Sequence, residues 1–518
     1  MTFQSILFTD TSIPIEETLS TPSFFTDLNL DQITTAITKS KEEYNLLPFF
    51  YSPVKNMNTL EYRHEIFRDL ANENLYKTIQ EFAFNMQSMR EKLKTTSQLR
   101  YLYQKEGYFL DVIKFYAQTV QTFSKQLETI ELRSKGFLEF RQYLKNYIAS
   151  TVFLDLCNES KKIQEALSQI QYCLNFEGAS IHVRKYEDEE DYRSMVEKTF
   201  DKFKQGSVKD HKKTYLFRLD MNHVEAAILN FVAQLYPETF SIVSSYYTNN
   251  QQYCPSIIQR FDREIQFYIS YLDYIHPLQK ASLPFCYPNV STRKNGISAT
   301  DSFDLALANK LAGTKQQIIC NSFELKENER VLVVTGANQG GKTTFARTFG
   351  QLHYLAQLGC PIPGKIVNLF LFDHIFTHFE REESLTSLHG KLQDDLVRIH
   401  KVLEQATPQS IFILNEIFSS TTLKDAFWLG KNIIEKILTL DTFCVYVTFV
   451  DELSRLNKKT VSFVSTVFPE NPVMRTYQIV RQPADGLSYA LAIADKYHLT
   501  YTYVKGRIKN ESVAATEK

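Results

Sequence analysis

Residues 331–344 read VLVVTGANQGGKTT. Val331 to Thr335 is a short β-branched run of strand type, a glycine-rich turn follows, and Phe345 to Leu355 then repeats apolar residues at a helical period. Gly336-Ala337-Asn338-Gln339-Gly340-Gly341-Lys342-Thr343 fits the phosphate-binding loop pattern position by position. Backbone N–H groups in such a turn point inward at phosphate oxygens, and the following helix adds the positive end of its dipole. The pattern assigns Lys342 to the β- and γ-phosphates of a bound nucleoside triphosphate and the Thr343 hydroxyl to Mg²⁺.

The chain has 518 residues, with 58 basic and 59 acidic side chains and a formal net charge of −1. That length predicts more than one domain, and the near-neutral balance means that any nucleic-acid contact depends on a local basic patch. Seven cysteines are scattered, with no close pair at metal-ligand spacing, which predicts reduced and mostly buried thiols. No basic leader with an apolar core opens the chain, and no stretch of 18 apolar residues occurs, so a cytoplasmic protein with no membrane span is expected.

Upstream of the glycine loop the pattern is helical. No proline occurs between Pro53 and Pro237, a run that suits long helices. The period lapses near 172–192, where Ile181-His-Val183-Arg-Lys-Tyr186 alternates like a strand after Gly178 and before the acidic run 187–191. Pro277, Pro284 and Pro288 read as a boundary. From about 290, strands are expected at 317–323, 330–335, 366–372, 410–414, 444–448 and 476–480, with helices at 343–357, 390–405, 423–438 and 486–497. This predicts an α/β nucleotide-binding domain with a mixed sheet.

Ser410-Ile-Phe-Ile-Leu414 is an apolar run that delivers Asn415 and Glu416 at its carboxyl end, where ligands of α/β sheets gather. Glu416 is placed to polarise a water. Asn415 stands where an aspartate would hold Mg²⁺, and a neutral amide gives less electrostatic help. Thr422 and Asp425 have capping-box spacing with Asp in place of Glu; the adjoining serine–threonine run reads equally as a cap or as a phosphate-sensing switch. Thr448 ends the run CVYVT and is a candidate γ-phosphate sensor. Asp451 and Glu452 read as helix-start residues, and His374 as structural.

These segments resemble the ATPase domain of the MutS family, within the wider ABC class. Thr335–Thr344 resembles the family's TGPNMGGKST, Asp373–Thr377 its D-R-I-F-T, Asn415–Asp425 its D-E-x-G-x-G-T-x-x-x-D, Thr448–Leu453 its T-H-Y-x-E-L, and Ser488–Ala494 its S-Y-G-I-x-V-A. The departures are Asn415 for the aspartate, Phe418 and Ser420 for two glycines, and Phe449 for a switch histidine. The family's trans-acting serine falls near Ser387 or Gly390.

The resemblance implies an α/β P-loop ABC-type ATPase domain at 290–507 and a tail at 508–518. It also implies a helical core segment at 1–60 and lever helices at 61–285 carrying a clamp-like tip at about 140–215. Only the 60 residues 1–60 precede the levers, too few, on this resemblance, for the mismatch-reading and connector domains of full mismatch-repair members. The family implies ATP and Mg²⁺ as cofactors, with the set 336–344 and Thr448 on the nucleotide, Thr343, Asn415 and Glu416 on the metal, and Lys342 and Glu416 in catalysis. It further implies homodimerisation through the ATPase domains and DNA, mismatched or branched, as partner. Arg184, Lys185, Lys202, Lys204, Lys209, Lys212 and Lys213 are the basic residues available to phosphates, whereas Arg90, Lys92 and Lys94 read as helix decoration. A protein-binding switch without DNA, or an ATP binder that hardly hydrolyses, are the alternatives.

Overall fold

The computed structural model describes residues 3–9, 20–188, 195–196, 199, 221–314, 316–380, 390–468, 470–484, 494 and 497–505. The chain forms two compact units: Met1–Gln4 with Asp69–Asp262, and Ser5–Arg68 with Arg263–Lys518. Among the described residues no helix is long and apolar enough to cross a membrane.

The second unit is built on a six-stranded sheet. Its strands are Val331–Gly336 (β1), Ile375–Phe379 (β2), Ile411–Asn415 (β3), Phe443–Val447 (β4), Thr460–Phe468 (β5) and Asn471–Arg481 (β6), in the order β2-β3-β4-β1-β5-β6. All neighbours run parallel except β6, which is antiparallel to β5. Helix Lys342–Gln357 (α1) follows β1, Lys391–Gln405 (α2) follows β2, and Leu423–Leu440 (α3) follows β3. Parallel strands must be covered on both faces, and β3 and β4 are buried at every residue. Ile399 of α2 and Ile433, Ile434 and Ile437 of α3 join Phe412, Leu414 and Tyr446 in one core. An α/β architecture with a mixed sheet is therefore present.

Three strand expectations are corrected. The strand expected at 366–372 ends at Phe370 and joins a separate four-stranded sheet, between Asn289–Ser291 and Ile297–Ser302. Its place at the edge of the main sheet is taken by β2, whose Thr377 and His378 break the apolar pattern. The strand expected at 317–323 runs Asn321–Leu325. Strand β5, TVSFVSTVF, was not expected at all, although its β-branched composition suits a strand. Helix 486–497 lies almost wholly outside the described residues.

Pro277 sits inside the helix Ser256–Lys280, and strands begin at Phe285, just beyond its end. The proline lies in the last turn, where only one helical hydrogen bond is forfeited by the missing N–H. Residues from the amino-terminal segment pack into this same unit. Phe24 and Phe25 set ring edges on Tyr354 at 5.4 and 5.2 Å between centroids. Arg63 is fully buried and donates to the carbonyls of Leu7 at 3.0 Å and Leu358 at 2.8 Å.

At the amino ends of β1 and β5, three cations converge on Asp441, the left-handed cap of α3. Arg330 Nε is 2.9 Å, Lys459 Nζ 3.5 Å and Lys294 Nζ 3.6 Å from its carboxylate. Partial burial pushes the Asp441 carboxyl up, but the Arg330 hydrogen bond and the three positive charges outweigh it and hold the pKa below the usual value. A depressed carboxylate pKa contributes stability above the unfolded value, near 4, and that contribution disappears as pH falls through the folded value. Because the side chain is 41% exposed, solvent screens the effect. Asp441→Asn is expected to cost about 1 kcal/mol at pH 7. The difference from the parent should close in acid, as read by melting temperature against pH.

Among the described residues, the first unit is helical apart from one hairpin. Its helices include Glu73–Gln98, Leu102–Thr129, Lys135–Ile148, Thr151–Ser168, His223–Leu235 and Pro237–Asn249. Asn72, Ser134, Ser150 and Asn222 cap four of them, Asn222 in a full capping box with Glu225. Phe82 stacks on Phe123 at 4.2 Å and Phe140 on Phe261 at 3.5 Å. Tyr172–Glu177 pairs antiparallel with Ser180–Lys185, so the non-helical stretch is a hairpin that turns at Gly178. Arg90, expected as surface decoration, instead forms an ion pair with the buried Asp262, and Lys92 sits over the Phe115 ring at 4.1 Å.

Candidate nucleotide site

The glycine loop leaves the carboxyl end of β1 and runs into α1. Gly341 takes a left-handed φ of 92° and caps the helix, Lys342 is its first residue, and Gly336 has φ 106°. Strand β5 explains why two positions must be glycine. A Cβ on Gly336 would lie 2.7 Å from the Ser465 carbonyl oxygen, and one on Gly340 would lie 2.0 Å from Ser465 Oγ. Ser465 Oγ donates to the Gly340 carbonyl at 2.9 Å and is fully buried. The loop is thus clamped from below by a residue that the glycine pattern does not contain.

Lys342 is buried, and its ammonium donates to the carbonyls of Gly336 at 2.9 Å and Ala337 at 3.2 Å, with Asn338 Oδ1 at 3.4 Å. The Phe449 ring centroid is 4.7 Å from Nζ, a cation–π contact where the family pattern has histidine. Burial lowers the Lys342 pKa, Glu416 opposes that shift, and Arg475 reinforces it. Glu416 follows β3 and is half-buried. Desolvation raises its pKa, Lys342 counters this, and the Glu380 charge adds to it. Glu380 itself accepts from Ser419 Oγ at 3.0 Å and from Lys391.

Both Glu416 and Phe418 hold left-handed backbone, with φ 53° and 61°. A left-handed non-glycine residue costs about 1–2 kcal/mol, and such strain collects at functional sites. Phe418 stands where the family pattern has glycine, yet it keeps the glycine conformation. Its side chain, 1% exposed in the core beneath α3, offsets the strain. Phe418→Gly is therefore expected to destabilise rather than relieve. The loss of a buried aromatic, about 3–5 kcal/mol, exceeds the strain released. A lowered midpoint in chemical denaturation checks this.

Asn415 ends β3 and is buried, and its Oδ1 has no hydrogen-bond partner. Thr448 is buried; its hydroxyl accepts from the Val450 N–H at 3.1 Å and its own N–H bonds Val334. Thr422 caps α3 by accepting from the Asp425 N–H at 3.2 Å, while its hydroxyl donates to the Asp425 carboxylate at 2.8 Å. The shorter acid thus bonds the hydroxyl. Asp373 accepts from Thr407 and Ser410, a structural arrangement. Asp451–Arg455 is a short 3₁₀ turn.

A cavity of about 690 Å³ opens beside the loop. Gln339, Gly340, Gly341, Lys342, Thr343, Thr344 and Glu416 line one side, and Phe303, Leu307, Ile318, Ile319 and Tyr477 form an apolar wall. Gly336, Ala337, Asn338, Asn415 and Thr448 are not part of that lining. The wall was not anticipated, because 316–320 carries no regular structure and Tyr477 lies on an antiparallel strand outside every motif. Among the described residues no group of three His, Cys, Asp or Glu side chains is placed to hold a metal. A cation here would depend on the Glu416 carboxylate, on neutral oxygens and on a ligand's own. Asn415 Oδ1, a buried acceptor without a donor, and the Thr343 hydroxyl at the cavity are such neutral oxygens.

Of the basic residues expected to meet phosphates, Arg184 lies 3.8 Å from Glu187 and Lys185 sits over Tyr236 at 5.2 Å. Lys202, Lys204, Lys209, Lys212, Lys213 and Ser387 lie outside the described residues. So does the Ser488–Ala494 element except for Ala494. Gly390 precedes α2 with ordinary extended backbone.

Comparison with known proteins agrees on the class of this region. Residues 332–507 match the family model described as MutS domain V. The chain is 27% identical over 254 residues to the DNA mismatch repair protein MutS of Listeria welshimeri, covering 45% of this chain and 29% of that protein. The MutS of Halalkalibacterium halodurans is 26% identical over 263 residues, 46% of this chain and 30% of the relative. That of Shouchella clausii is 31% identical over 180 residues, 34% and 21%. The matches thus span less than a third of each of these relatives. The carboxyl-terminal region is similar to domain V of MutS proteins.

Proposed function

We propose that the chain is an ATP-dependent DNA-binding protein of MutS type. In this reading it engages mismatched or branched DNA in repair or recombination, and bound nucleotide controls a clamp-like movement. The observation that carries it is the assembly at one cavity mouth of the strand–loop–helix 331–357, Lys342 and Glu416. The MutS-related sequence of the same region supports the DNA role.

Residues 336–344 would hold the phosphates through loop amides, with Lys342 as their buried cation. Thr343 and Asn415, with Glu416 partly through water, would hold Mg²⁺, which when bound supplies charge neutralisation on the phosphates. The donor set fits such an ion, weakly, because Asn415 brings an oxygen without a charge. Glu416 accepts a proton from the attacking water; its raised pKa makes it a stronger base than an ordinary glutamate. Thr448 would serve as the γ-phosphate sensor in this reading. Two ATPase domains facing each other would complete each site, so a homodimer belongs to the reading.

Slow turnover is the second reading, favoured by neutral Asn415 and by Phe449, which has no hydrogen-bonding group. The test of the DNA role is binding to labelled duplex, mismatched and branched DNA across a salt series, with and without ATP. Affinity should fall with salt and change with ATP. No competable binding in either state would remove the DNA role and leave a switch that holds a protein partner.

A further inference from the structure

Strand β6 carries an irregularity directly beside the glycine loop. Ser465 of β5 pairs with Ile479, but Val467, two residues on, pairs with Arg475, four residues back. Two extra residues are thus accommodated on β6, and Tyr477 within the irregular stretch has φ 58°. Bulges of this kind re-aim side chains and gather beside active sites. Here the bulge lies opposite Ser465, the residue that clamps Gly336 and Gly340. On its two sides it presents Tyr477, which lies against Gly341, and Arg475, whose Nε donates to the Asn338 carbonyl at 3.0 Å.

Arg475 therefore brings a second, permanent positive charge to the loop that already holds buried Lys342. The Lys342 ammonium is 3.4 Å from Asn338 Oδ1, and the Arg475 guanidinium binds the backbone of that same residue. The two cations repel, and Arg475 makes Lys342 harder to keep protonated. Glu416 acts on Lys342 in the opposite sense and more strongly than Arg475, and Asp451 adds to it, so burial is what lowers the Lys342 pKa. Like charges gathered at one loop are stabilised when a polyanion lies between them. Guanidinium, with several donors in a planar fork, suits phosphate oxygens better than any other side chain.

We propose that Arg475 is a phosphate-binding residue of the nucleotide site, supplied in cis by the bulge of β6. It contributes charge at the terminal phosphates that the neutral Asn415 does not help a metal ion to supply. This rests on the ATP-binding reading above. Its consequence is that triphosphate binding persists when Mg²⁺ is removed, and that affinity depends on Arg475 more steeply as phosphates are added.

The experiment is calorimetric titration of the full chain and of Arg475→Gln with ATP, ADP and AMP, each in Mg²⁺ and in EDTA. The parent is expected to keep measurable ATP binding in EDTA. Arg475→Gln should lose about tenfold for ATP, less for ADP and little for AMP, with the ATP loss larger in EDTA. Arg475→Lys should restore part of the ATP affinity by returning a charge without the fork. An equal loss for all three nucleotides, or none, would overturn the proposal, because a residue that only steadies the Asn338 carbonyl does not count phosphates. If the parent binds no nucleotide in either buffer, the ATP reading itself fails, a result distinct from parental binding that Arg475→Gln leaves intact. A melting curve of each variant separates misfolding from loss of a contact.

Discussion

Lys342→Ala is expected to weaken ATP binding by about a hundredfold, the scale of losing a charged hydrogen-bonding partner of roughly 3 kcal/mol. The side chain is buried, so its ammonium is already stripped of most water, and it is held by two loop carbonyls. Little rearrangement is needed before it meets a phosphate, and preorganised charge of this kind is worth more than the same charge in solvent. The same substitution removes the two bonds to Gly336 and Ala337 and so loosens the loop. Lys342→Met also loses those bonds but keeps the buried stem and fills the space, so it separates the loss of the ammonium from the loss of packing. If the loss follows charge, both variants bind equally badly while Lys342→Met melts close to the parent. Unaltered ATP affinity in both, measured by calorimetry, contradicts the assignment.

Glu416→Gln is expected to lower ATP turnover by about a hundredfold or more, the usual worth of a positioned general base, without weakening ATP binding. Gln removes a negative charge from the phosphate side of the cavity, so affinity holds or improves. The pH profile gives an independent signature. Desolvation holds the Glu416 pKa above the ordinary glutamate value, with Lys342 opposing and Glu380 assisting. The base works only when ionised, so parental turnover should fall on the acid side at a pH above the ordinary range near 4.3. In Glu380→Gln that acid limb should move to lower pH, because a neighbouring negative charge is gone. Equal turnover in the parent and Glu416→Gln would remove Glu416 from the chemistry and favour a protein that binds ATP without productive hydrolysis.

The part of the site that was legible in the sequence is the part carried by short, contiguous chemistry. VLVVT, IFILN and CVYVT are apolar runs with polar carboxyl ends, and they are β1, β3 and the strand and turn at β4. The glycines of 336–341 announce a turn because side chains are excluded there. Strand β2 was illegible because His378 is buried against Asp395 at 2.9 Å, a satisfied polar pair that looks like a loop residue in the sequence. The Ile366–Phe370 strand carried the right propensity but no information about which sheet would take it. Likewise, nothing local to Phe24 and Phe25 names Tyr354, more than 300 residues away, as their partner. Ser465, Arg475 and Tyr477 were missed for a deeper reason. Their proximity to the loop comes from the pairing of β5 with β1 and from a bulge, neither of which has a local sequence signature. Phe418 shows the converse: a glycine position can be filled by phenylalanine when burial outweighs left-handed strain.

The central claim is that triphosphate oxygens rest on the main-chain amides of residues 339–343, with Lys342 on the terminal phosphates. A crystal structure of the chain with a non-hydrolysable ATP analogue and Mg²⁺ tests it most directly. The account predicts phosphate density within hydrogen-bonding distance of those amides and of Lys342 Nζ. Density elsewhere, or a loop that stays closed to the analogue while solution titration shows no uptake, would contradict it.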